Sequence, residues 1–256
     1  MGEVLGSAVT LSESHLSDED AMALPLQHES MTLTQTLISG PDEKLNRRIP
    51  IVIMKESKLK AEDLAAFDHT GPIGISVGYE EGSKGKVLAL AIVDENQGLL
   101  IELNGKKGNG WRNSTSNSKR GQARRLLEET VLCRAIAPLV GFDMAPLVLS
   151  ICNSFGLVVS NAIDVQDTFS PDDRNELVTV KTAMGEGFIA MSPKERNIER
   201  LFTSRFYDPE ERRCKVELAS KAWLAQLLVA EFLPQEARET VRRIDLGKLD
   251  ERKVIV

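Results

Sequence analysis

Few residues in this 256-residue chain are of types that do chemistry unaided. Its only histidines are His15, His28 and His69, and its three cysteines, Cys133, Cys152 and Cys214, stand far apart. A histidine-based zinc site or a Ser-His-Asp triad would have to be built on His69. That residue sits between Asp68 and Thr70 in a turn-like stretch and reads as a surface histidine. Neither a disulfide framework nor a CxxC knuckle can be read from the cysteines. The glycine-rich stretches at 82–86 and 105–110 lack the G-x-x-x-x-G-K-[ST] spacing of a nucleotide loop. What remains is charge. Lys106, Lys107, Arg112, Lys119, Arg120, Arg124 and Arg125 fall between Asn104 and Leu127 with no acid among them, and Trp111 lies within the run. Phosphates favour such a patch through counterion release, and one aromatic can stack on an unpaired base. RNA or single-stranded nucleic acid is therefore one reading of the segment, and a solvated insertion is the other.

Acids are concentrated elsewhere. Residues 1–46 hold eight of them against Lys44, a net of −7, while the rest of the chain is near neutral at +1. With scattered apolar residues and no sustained period, this stretch is expected to be a disordered acidic arm, since it offers little apolar surface to offset ordering. Ser12, Ser14 and Ser17 sit next to acids; a phosphorylated arm and a merely solubilising one are both open readings. The arm's charge suits it to compete for the basic patch. No apolar run approaches the roughly 20 residues of a membrane span. No basic start followed by an apolar stretch is visible either, so the expected setting is intracellular, cytoplasmic or nuclear.

The elements that must position these residues are expected in one domain over 47–256, with a basic loop at about 104–122. Order is expected to start at the β-branched run Ile49 to Met54. A helix follows over Lys58 to Phe67, then strands at Ile73 to Val77, Lys86 to Val93 and Leu99 to Leu103, joined by turn-rich tetrapeptides. These three make an antiparallel meander. Helical periodicity returns from Arg124 to Pro138, Val140 to Phe142 is a short apolar run, Leu147 to Phe155 reads as helix, and Ala162 to Val165 as a last strand. From Glu176 onward the chain reads as helical, ending in Leu218 to Phe232. Strands first, then helices with one late strand, argue for a mixed α/β fold. Trp223, Leu224, Leu227, Leu228 and Phe232 cover more than one face of the last helix; most belong to a core, and a leftover stripe would dock a partner or a second copy.

Val140-Gly141, Met144, Leu147, Ile151 and Phe155-Gly156, followed by Ile163-Asp164-Val165-Gln166-Asp167, form a familiar layout. It resembles the second motif of the DEDD-type 3′–5′ exonucleases, of the Werner-type and Egalitarian-like kinds: V-G-x-x-I-x-x-D-x-x-x-L-x-x-x-F-G, then a strand and D-L/V-x-D. Ile73 to Tyr79 resembles the first motif, V-G-F-D-x-E-W, and Ala219 to Trp223 the third, A-x-D-A-W/Y. The resemblance covers about Ile49 to Phe232. It implies a ribonuclease H-like mixed sheet flanked by helices, of the 3′–5′ exonuclease type.

The family's four carboxylates hold two divalent metals, which activate water and stabilise the leaving oxygen. In register, those positions fall here on Ser76, Gly78, Leu147 and Lys221, and none is acidic. The tyrosine expected four residues before the last of them is Glu217. Leucine offers magnesium no donor and an ammonium repels it. The resemblance thus implies a catalytically inactive relative with no metal and no cofactor, which works by binding in RNA processing or RNA silencing with a protein partner. The alternative is an active metal-dependent exonuclease using a shifted set of acids: Glu80, Glu81, Asp143 and Glu217. The resemblance also puts Asp164 and Asp167 at family positions that cap the strand-to-helix step, which implies a structural role for both.

Overall fold

A computed structural model describes residues 29–34, 36–40, 48–67, 70–83, 85–103, 118–185, 191–204 and 206–248. The expected meander is present as β4 (Ile73–Tyr79), β5 (Val87–Val93) and β6 (Gly98–Glu102), paired antiparallel in sequence. β7 (Leu139–Gly141) pairs parallel to β4 on its other side, and β8 (Ala162–Asp164) pairs parallel to β7. An antiparallel three-stranded meander whose first strand carries two further parallel strands is the ribonuclease H-like order. Two more strands extend it beyond β6. β3 (Arg48–Lys55) joins β6 in parallel, and β1 (Glu29–Thr34) closes that edge antiparallel to β3, giving the order β1-β3-β6-β5-β4-β7-β8. A separate two-stranded pair joins β2 (Ile38–Ser39) to β9 (Ser192–Pro193).

The disordered arm expected over 1–46 is corrected at its end. Met31 and Leu33 alternate with exposed neighbours in β1 and drop into the core, so two apolar side chains and a full set of pairs to β3 suffice to order Glu29–Thr34. Residues 1–28 lie outside the described residues.

Helices cover both faces. α1 (Ala61–Ala65), α2 (Lys119–Leu127) and α3 (Met144–Phe155) share a core with Ile73, Ile75 and Val77. The opposite face carries α5 (Glu176–Met184), α6 (Glu195–Thr203) and α7 (Arg212–Phe232), while the short α4 (Val165–Phe169) follows β8 and α8 (Gln235–Thr240) follows α7. Side chains alternate along a strand, so β4 turns its isoleucines toward α3 and leaves Gly74, Ser76 and Gly78 for the other face. β5 contributes Ala89 and Ala91 there. These small residues form a shallow bed, and α7 lies in it so closely that a Cβ on Gly74 would come within 1.8 Å of the Ala222 carbonyl oxygen. That depth explains the burial of α7 nearly all round from Leu218 to Val229. Its apolar side chains are core, as the sequence suggested for most of them.

Both ends of α2 differ from the sequence reading. α2 begins at Lys119, inside the expected loop, because the Ser118 hydroxyl accepts from the Gly121 N–H at 3.0 Å and caps it. It passes into one π-helical turn, Glu128–Leu132, and stops well before Pro138. Among the described residues, no helix is long and apolar enough to cross a membrane.

Candidate functional site

β4, α3 and α7 meet at one cavity of about 80 Å³. Ser76 comes to it from the centre of β4, Leu147 from the first turn of α3, and Lys221 from the middle of α7. Three of the four motif positions are thus brought together by elements far apart in sequence. The fourth is filled by another residue. A Cβ on Gly78 would stand 2.5 Å from the Cβ of Tyr207, which enters from the segment before α7. The Tyr207 N–H donates to the Tyr79 carbonyl at 2.8 Å, and its hydroxyl donates to Glu102 at 3.2 Å.

The cavity's chemistry follows from its lining. The Ser76 hydroxyl is buried and has no hydrogen-bond partner among the described residues. Lys221 Nζ donates to the Ser204 carbonyl at 2.7 Å and sits 5.6 Å from the centre of the Phe202 ring, a cation–π distance. Phe202 in turn meets Phe142 edge to face at 4.7 Å. Asp143 and Glu176 supply the only carboxylates among the described lining residues. Where the resemblance calls for carboxylates around two divalent ions, the chain supplies a hydroxyl, an isobutyl group, an ammonium and a phenol-filled glycine. This set does not fit the metals: hard cations need several oxygen ligands, and the one fixed charge at the matched positions is positive.

Asp164 holds the frame beneath. It is buried and accepts from the Met144 and Gln166 N–H groups, each at 2.9 Å, and from Arg174 at 2.9 Å. It therefore caps α4 and ties the start of α3 to β8, as its motif position suggests. Burial pushes its carboxyl above the usual range, and the two backbone donors and the guanidinium pull the other way. Asp167 instead pairs with Arg174 at 3.2 Å.

The alternative acids are dispersed. Glu80 pairs with Lys86 at 2.6 Å beyond the end of β4, and Glu81 is exposed in the same turn. Asp143 takes a left-handed conformation (φ 50°) before α3 and lines the cavity, 3.5 Å from Arg174. Glu217 pairs with Arg213 at 2.7 Å and lines a neighbouring hollow with Gly78 and Lys221. Among the described residues, no three His, Cys, Asp or Glu side chains form a group able to hold a metal ion.

Of the basic segment, Lys106, Lys107, Trp111 and Arg112 lie outside the described residues, as does His69. Lys119 and Arg125 are exposed on α2. Arg120 and Arg124 turn inward to Glu56, a buried carboxylate just after β3, and Arg124 also lies 5.1 Å from the Phe155 ring centre. The acid that divides this patch is distant in sequence, so no local pattern signals it. Glu176, Phe202 and Tyr207 were likewise missed, and none belongs to the three motifs.

No protein-family model matches the chain, and no curated protein matches it. Several solved structures are similar, and two of them are as follows. One is the Nibbler EXO domain of Aedes aegypti, 12% identical, covering 74% of this chain and 94% of that one at a TM-score of 0.49. The other is RNase D of Escherichia coli, an exoribonuclease involved in structured RNA processing. It is 13% identical, and the match covers 72% of this chain and 43% of that one at a TM-score of 0.45.

Tyr207 provides a test of the packing at Gly78. Burial, then the Glu102 carboxylate, push its phenol well above the ordinary value near 10. The unfolded chain releases this proton near pH 10 while the folded chain keeps it, so this group's contribution to stability falls as pH rises above about 10. The chain has two tyrosines. In the folded protein, Tyr207→Phe should leave the phenolate absorbance gained by about pH 11 unchanged. A fall would place Tyr207 in water and remove it from the Gly78 position.

Proposed function

We propose that this chain is a catalytically inactive 3′–5′ exonuclease-like domain that acts by binding, as a scaffold in an RNA-processing or RNA-silencing assembly. One observation carries the reading. Ser76, Leu147 and Lys221 converge on a single cavity where the motif resemblance places metal-binding carboxylates, and Tyr207 fills the room left at Gly78. The frame that would position the reaction is kept while its donors are replaced. A protein partner, and single-stranded RNA on the basic segment, are the binding functions proposed; a second copy of the chain is the other candidate partner.

Lys119 and Arg125, exposed on α2, support an RNA face continuous with Lys106, Lys107 and Arg112 in sequence. The test is end-labelled single-stranded RNA incubated with manganese and read on one gel for both mobility and length. The expected result is a salt-sensitive shift without trimming, weakened roughly tenfold when Lys106, Lys107, Arg112 and Lys119 are all changed to Ala. Chelator-sensitive trimming would overturn inactivity and return the function to the shifted acids. An unshifted band would remove RNA and leave the protein partner.

A further inference from the structure

A second, larger cavity lies apart from the one around Ser76. About 530 Å³ in volume, it opens between the approach to β2, α6 and the first half of α7, and it shares no lining residue with the cavity around Ser76. Its apolar side is Leu37, Leu201 and Val216. Three guanidiniums stand around it: Arg200 from α6, and Arg212 and Arg213 from the first turn of α7.

The charges are unequal in their commitments. Arg213 is paired with Glu217 at 2.7 Å, the one carboxylate among the described lining residues. Arg200 and Arg212 form no ion pair among the described residues, so the cavity keeps a positive excess. Two further observations point inward. Ser220 is 9% exposed and lines the cavity. The 21-residue α7 also begins here without a side-chain cap, which places the positive end of its dipole beside Arg212.

We propose that this cavity binds a phosphomonoester carried on a flat, largely apolar body, the chemistry of a nucleoside monophosphate. Guanidinium forks match the oxygens of a phosphate in pairs, which a lysine cannot do. The Ser220 hydroxyl supplies a donor at depth. A cavity of several hundred Å³ is the size that encloses a small organic ligand, and phosphate alone would leave the Leu37, Leu201 and Val216 wall uncovered. The same phosphomonoester occurs free and at the 5′ end of a nucleic acid strand. This site does not rest on RNA binding by the basic segment.

The experiment is calorimetric titration of the full chain with AMP and with adenosine. AMP should bind saturably, adenosine at least about tenfold more weakly. Arg200→Gln with Arg212→Gln should weaken AMP by about tenfold or more, and since both side chains are exposed the melting curve should not move. Ser220→Ala should weaken AMP about threefold. Competition separates the two sources: displacement of AMP by a 5′-phosphorylated oligoribonucleotide but not by its 5′-hydroxyl twin assigns the ligand to a strand end, and displacement by neither assigns it to the free nucleotide. No AMP binding up to millimolar concentration, equal binding of AMP and adenosine, or full affinity in the double variant would each overturn the proposal. Loss of the RNA shift with AMP binding intact would sink the RNA reading alone.

Discussion

Gly74→Val should abolish folding, and Gly74→Ala should cost about 3 kcal/mol or more, the upper end of the range for overpacking a core. The cause is backbone against backbone. A Cβ at residue 74 would lie 1.8 Å from the carbonyl oxygen of Ala222 and 2.6 Å from its carbonyl carbon, so no rotamer relieves it and α7 itself would have to lift. Lifting α7 opens its contacts with β4 and β5 together, since both strands present small residues to the same helix. Gly98→Ala is the contrasting case. Its nearest atom, at 2.4 Å, is Cδ1 of Ile51, the far end of a side chain that can turn away. Urea unfolding of the two alanine variants checks the order. Similar costs at both positions would mean that α7 does not sit as deep on β4 as described.

The second large effect is expected at Glu56. Its side chain is 2% exposed and is held by Arg124, with Arg120 at 3.5 Å. Arg124→Ala leaves a buried carboxylate with only the longer contact to Arg120 and should cost about 3 kcal/mol, the low end of the penalty for breaking a buried pair from one side. Replacing both partners, Glu56→Leu with Arg124→Leu, removes the stranded charge and should recover most of that loss. A double-mutant cycle in urea reads the coupling. A double variant no more stable than Arg124→Ala would show that the pair is not coupled in the folded chain. The result also bears on function: Arg124 serves the fold, so charge removal aimed at RNA binding is informative only where Arg120 and Arg124 are spared.

Much of the frame was legible because local pattern and motif spacing agree. The β4 to β6 meander is announced by apolar runs and turn residues at hairpin spacing. The segment from Val140 to Gly156 fixes β7 and α3 through one uninterrupted spacing, and Ser76, Leu147 and Lys221 then fall on the same cavity. What escaped depends on partners remote in the chain. β1 has two buried apolar residues, Met31 and Leu33, and takes its order from β3, so composition alone reads it as arm. Tyr207 matters because β4 has no side chain at Gly78, a complementarity across more than 120 positions that no window contains. The inward turn of Arg120 and Arg124 follows from an acid just beyond β3, where a basic run suggested an open patch. The cavity walled by Arg200, Arg212 and Arg213 was unannounced for the same reason: its charges come from two helices whose crossing tertiary packing decides.

Glu29 gives the acidic arm a hold on the far layer of the fold. At the very start of β1, its carboxylate meets Lys215 at 3.0 Å, and that ammonium is 8% exposed, with Glu102 the next acid at 3.7 Å. A cut placed where the acidic composition ends, after residue 46, would take away an edge strand and half of the negative charge facing a buried cation. The loss would then present as a weakened fold and be mistaken for a regulatory role of the arm. The folded unit therefore includes Glu29 and β1, and a cut meant to test the arm has to fall ahead of Glu29.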